Sequence, residues 1–67
     1  MRRYNRIKTI LAEQERTNKW LADKMEVNKA TVSRWCSNQA QPSLETLYEI
    51  AEVLDVDVCA LLVRRGE

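Results

Sequence analysis

The sequence predicts an all-α fold, a single bundle of about five short helices, and three observations carry that expectation. Apolar residues recur at helical spacing through successive short segments. Four of those segments are preceded by a residue suited to an N-cap: Thr17, Asn28, Ser43 and Asp57. Between them there is no strand-like alternation, internal repeat, linker or low-complexity tract.

The elements follow in order. Ile7, Ile10 and Leu11 share one face of a first helix expected from Arg3 to Gln14, with Arg6, Lys8 and Glu13 outside. Thr17 caps a short second helix defined by Leu21, Ala22 and Met25, which ends near Met25 or Glu26. Asn28 then caps a third, in which Thr31, Val32 and Trp35 keep helical spacing as far as Ser37. Two helices joined by so short a turn must cross steeply. The segment from Ser37 to Pro42 is a loop, because Pro42 cannot continue the helix before it. Ser43 caps the most amphipathic helix, with Leu44, Leu47, Ile50, Ala51 and Leu54 on one side and Glu45, Glu49 and Glu52 on the other. Thr46 stands where a capping box would have Glu or Gln. Asp57 caps a last short helix with Val58, Leu61 and Leu62 inward, before a basic tail of Arg64 and Arg65.

At 67 residues the chain is expected to be one domain over residues 1–67, with its core between 5 and 62. A core in chains of this size rarely supplies more than about 3 to 5 kcal/mol, so a partner subunit or ligand would matter. The net charge of +1 argues against binding a polyanion by bulk charge, and directs attention to where charge is placed. Arg2, Arg3, Arg6 and Lys8 crowd the start and Lys29 and Arg34 stand mid-chain, whereas Glu45, Glu49, Glu52, Asp55 and Asp57 make the later half acidic.

The chain has no His and two cysteines, Cys36 and Cys59, which removes the ligand spacings of structural zinc. Both thiols are expected to be reduced and packed in the core. With no base near a nucleophile, no catalytic residue, metal or cofactor is expected, and the protein is not read as an enzyme. No apolar run approaches a membrane span and no signal peptide precedes the first helical pattern, so the expected location is the cytoplasm.

The third helix is the element least like a core helix. At helical spacing Lys29, Ala30, Ser33, Arg34 and Ser37 share one side, while Thr31, Val32, Trp35 and Cys36 take the other. The outer side is small and polar, holds two cations and has no acid. Reading a DNA major groove needs such a helix, held by a buried back with its front free to meet base edges. Lys29 and Arg34 can donate to guanine O6 and N7, Ala30 can touch a thymine methyl, and Ser33 can bond a base edge or a phosphate. The capped helix before the turn and the Asn- and Gln-rich loop after the third helix suit phosphate clamping on either side.

From Asn5 to Leu62 the chain resembles the Cro and phage-repressor class of helix-turn-helix proteins, the XRE family. The strings TNKWLADKMEVNKATVSRWCSN and QPSLETLYEIAEVLDVDVCALL carry the resemblance. It implies a compact five-helix bundle like that of lambda repressor and binding of double-stranded DNA as a repressor-like homodimer on an inverted repeat. The resemblance places base reading on Lys29, Ala30 and Arg34, with Ser33 beside them, and phosphate contacts on Asn18, Asn28, Ser37, Asn38 and Gln39.

Dimer contacts are expected from the last two helices, with Val56, Val58 and Leu62 as candidates and ordinary core as the competing reading. An antitoxin or adaptor with a protein partner is the alternative function. Relative to the family, Glu26 occupies a turn position usually held by Gly, so a left-handed backbone is expected there. Asn38 likewise replaces a frequent Gly, and Leu11 and Cys36 replace an Arg and Glu that often pair; two apolar partners substituted together can leave a core sound.

Overall fold

Each expected cap is made. In the computed structural model, which describes residues 3–64, the Thr17 side chain accepts the Trp20 N–H, Asn28 that of Ala30, Ser43 that of Thr46 and Asp57 that of Cys59. These bonds satisfy N–H groups that a helix start leaves without partners. The helices are α1 (Ile7–Glu13), α2 (Asn18–Met25), α3 (Lys29–Cys36) and α4 (Leu44–Leu54). Where the capping box lacks its acid, the Ser43 hydroxyl donates to Thr46 Oγ1 at 2.9 Å.

Two expectations are corrected at the ends. The last element is not a fifth α-helix but a single 3₁₀ turn, Val58–Leu61. It stops because the chain leaves into an extended residue, Leu62, that pairs antiparallel with Asn5, while the Leu61 carbonyl accepts the Arg6 N–H at 2.7 Å. The same pairing delays α1, which starts at Ile7 and not Arg3: Asn5 lies in the bridge, and its side-chain oxygen accepts the Ile7 N–H at 3.1 Å. Arg2 and Arg65 lie outside the described residues.

One core is shared by all five elements, with Ile7, Leu21, Val32, Ile50 and Leu61 fully enclosed. Leu11 and Cys36, at the positions of the family's ion pair, are both buried in it. Leu44 departs from the amphipathic reading: as the first residue of α4 it lies beyond the core and is 72% exposed. Gln14 ties α1 to α4 by donating its side-chain amide to the Leu54 carbonyl at 2.8 Å, an acceptor that the end of α4 leaves open. Ahead of α2, the Arg16 guanidinium stacks over the half-buried Trp20 ring at 4.4 Å.

All four α-helices end the same way. Glu15, Glu26, Asn38 and Asp55 have φ between 55 and 60°, the left-handed region. At each, the residue's N–H and the next N–H close back onto the helix, as Glu26 to Asp23 and Val27 to Ala22 do in the turn before α3. The left-handed Glu26 expected from the sequence is therefore present. An L-residue there costs about 1 to 2 kcal/mol, partly offset by the chain entropy a glycine would lose, about 0.5 to 1 kcal/mol. Glu26→Gly is expected to raise stability by about 0.5 to 1 kcal/mol. The check is a higher denaturant midpoint at unchanged slope; a lower midpoint would contradict the backbone account.

Candidate nucleic-acid interface

α3 is fixed from behind. Val32 is fully buried, and Trp35 and Cys36 nearly so, against α1 and α2. That anchoring leaves Lys29, Ala30, Ser33, Arg34 and Ser37 exposed along the opposite face, with Thr31 at the margin. α3 carries no acidic residue. Among the described residues neither the Lys29 nor the Arg34 side chain has a hydrogen bond or ion pair, and the exposed Lys19–Asp23 bridge within α2 involves neither. The two cations are thus presented outward and uncompensated by neighbouring acids.

The phosphate candidates divide by how their polar atoms are used. Asn18 opens α2, half-buried, with its side-chain oxygen accepting the Cys36 thiol at 3.4 Å and its Nδ2 unbonded among the described residues. Exposed Asn28 uses its oxygen on the Ala30 N–H at 2.7 Å, which leaves its amide nitrogen to donate outward. The Ser37 hydroxyl is turned back onto the Ser33 and Arg34 carbonyls at 3.1 and 3.3 Å. Phosphate oxygens only accept, so Ser37 must rotate to donate, which its exposed position permits. The Gln39 side chain is exposed and makes no hydrogen bond among the described residues.

Asn38 is a different case. Its side chain is buried, 7% exposed. The oxygen accepts the Tyr4 N–H at 2.8 Å, the Asn5 N–H at 3.0 Å and Gln41 Nε2 at 3.1 Å. Its amide nitrogen donates to the Asn5 carbonyl at 3.3 Å, and its own N–H goes to Trp35. Asn5 completes the hub by donating to the Trp35 carbonyl and to Gln41 Oε1. One N–H of the Asn38 amide is thus spent on the Asn5 carbonyl, and the buried side chain fastens the exit of α3 to the N-terminal segment. Sequence reasoning missed Asn5 and Gln41, whose only signal was two polar residues beside the helix boundaries.

The match to known proteins falls on this same arrangement: a helix-turn-helix family model matches residues 7–61. The chain belongs to the XRE-type helix-turn-helix family. The matched stretch contains α2, its turn, the outward face of α3 and the supports behind them. The family's fold is that of DNA-binding transcription regulators. Among solved structures, the chain is similar to a Bacteroides fragilis protein described as a "putative DNA-binding protein". The two share 54% identity and a TM-score of 0.87, over 88% of this chain and 95% of that one. No curated protein matches the chain.

The dimer candidates separate. Val56 and Val58 are half-buried and line an open concavity with Tyr48, Glu52, Asp55 and Asp57, while Leu62 is 39% exposed at the bridge with Asn5. Among the described residues no helix is long and apolar enough to cross a membrane.

The two cysteines also differ. Cys36 is buried as expected, but Cys59 lies exposed on the 3₁₀ turn and is not core. Burial pushes the Cys36 thiol above its ordinary range, with nearby Lys8 pulling less strongly the other way. A raised folded-state value means that stability is complete below the unfolded thiol's pKa and is lost as pH rises through the folded one. Wild type is therefore expected to lose more stability than Cys36→Ser between neutral and alkaline pH. Denaturant titrations at both pH values check this, and equal losses would contradict it.

Proposed function

We propose that this chain is a sequence-specific binder of double-stranded DNA and a repressor-like transcription regulator in the cytoplasm, acting as a homodimer on an inverted-repeat operator. The observation that carries the reading is the outward face of α3, exposed, free of acids and backed by Val32 and Trp35. Lys29 and Arg34 read guanine edges, Ala30 meets a thymine methyl, and Ser33 bonds a base or a phosphate. Asn18, Asn28, Ser37 and Gln39 hold the backbone on either side and so set the register of α3 in the groove. Family membership and the description of the Bacteroides fragilis relative support this.

In a two-fold dimer the two α3 helices enter successive major grooves, about 34 Å apart, so half-sites repeat at about one helical turn. Val56, Val58 and Leu62 are the proposed contacts between subunits. The test is duplex binding titrated against salt. Because phosphate contacts release counterions, the logarithm of the affinity should fall steeply and linearly with the logarithm of salt concentration. A duplex affinity too weak to measure at low salt would overturn the reading.

One observation favours a second reading, an antitoxin or adaptor that meets a protein partner. Leu44 and Tyr48 are 72% and 56% exposed on α4, among the exposed acids Glu45, Glu49 and Glu52. A stoichiometric protein co-purifying from the native host, and released by Tyr48→Ala, would support it.

A further inference from the structure

We infer that Cys36 is a positioning residue, holding the Asn18 amide so that its nitrogen, and not its oxygen, faces the DNA backbone. The inference rests on the DNA-binding reading and assigns it a part that the helix-turn-helix pattern does not contain. Cys36 closes α3 and Asn18 opens α2, and the thiol donates to Asn18 Oδ1 at 3.4 Å across the join between the two helices.

An asparagine amide has an accepting arm and a donating arm fixed about 120° apart by its planar geometry. Phosphate oxygens accept only, so Asn18 serves a phosphate contact only when Nδ2 points outward. Left alone at a half-exposed site, the amide could present either arm. The thiol removes that choice: it is 9% exposed, on the core side of Asn18, and it supplies a donor that only the oxygen can meet. Nδ2 is then left on the other side, where it has no partner among the described residues. Burial keeps Cys36 protonated, and therefore a donor, at neutral pH. The phosphate clamp at the start of α2 is in this way set by the last residue of the helix that reads the bases.

The test compares Cys36→Ala, Cys36→Ser, Asn18→Ala and the double variant Cys36→Ala/Asn18→Ala in the full chain, at a temperature where denaturation shows each one folded. Cys36→Ala should weaken cognate and scrambled duplex alike by about 3- to 10-fold, the size of one net hydrogen bond. Serine, which keeps a donor, should restore most of that loss, and Cys36→Ala should cost nothing further once Asn18 is alanine. Equal losses with and without Asn18, or a folded serine variant as weak as the alanine one, would overturn the inference.

The side-chain amide resonances of Asn18 in the free protein test positioning without DNA. They should shift in Cys36→Ala and return in Cys36→Ser, and resonances that do not move would overturn it. A wild-type chain that binds no duplex, yet shows this pattern, would leave the positioning intact and remove the DNA reading instead.

Discussion

Replacing Arg34 with alanine is expected to cost about 1 to 3 kcal/mol of affinity on the cognate duplex, roughly 5- to 150-fold, and much less on a scrambled one. Arg34 lies in the last turn of α3, exposed on the face that Val32 and Trp35 turn outward, with no internal partner among the described residues. A guanidinium so held can form the planar two-point contact to guanine O6 and N7 that an ammonium cannot reproduce. Its loss should relax preference at one base pair and leave the others intact. Asn18→Ala gives the contrast, since a phosphate contact is the same on every sequence and its loss should weaken cognate and scrambled duplex equally. Electrophoretic shifts on both duplexes separate the two roles. Equal losses for Arg34→Ala would remove it from base reading.

The largest expected effect on folding comes from Asn38→Ala. The substitution removes the acceptor of two backbone N–H groups, those of Tyr4 and Asn5, and the donor to the Asn5 carbonyl. Each buried polar group left unpaired costs about 1 to 3 kcal/mol, and alanine retains the penalty of a left-handed backbone at φ 60°. A total near 3 kcal/mol or more approaches the stability that about 3 to 5 kcal/mol of core supplies in a chain this small, so Asn38→Ala should be largely unfolded near physiological temperature. Asn38→Gly relieves the backbone but not the lost hydrogen bonds, and should fall between alanine and wild type. Circular dichroism melts check both. An Asn38→Ala protein with wild-type stability and weakened DNA affinity would contradict the hub and favour a phosphate contact for Asn38.

The starts of α2, α3 and α4 were legible because each depends on a cap within three residues of the N–H it satisfies: Thr17, Asn28 and Ser43. The outward face of α3 was legible for a similar reason, since helical spacing separates Lys29 and Arg34 from Val32 and Trp35 without tertiary knowledge. What could not be read depended on distant partners. α1 is shortened by a bridge from Asn5 to Leu62, and Asn38 is drawn inward by backbone groups 33 and 34 positions earlier. A loop Asn carries the same local signal whether it faces phosphate or a buried N–H. Leu44 and Cys59 fit an apolar pattern, yet Leu44 opens α4 and Cys59 lies within the short 3₁₀ turn, and both are exposed.

The central claim is that the face from Lys29 to Arg34 reads base sequence, and selection of bound sites from a random duplex library tests it most directly. Wild type should enrich an inverted repeat with guanine among the read positions, and Arg34→Ala should lose the preference at one symmetric pair of them. Enrichment of no sequence by wild type, or of an identical motif by both proteins, would contradict the account.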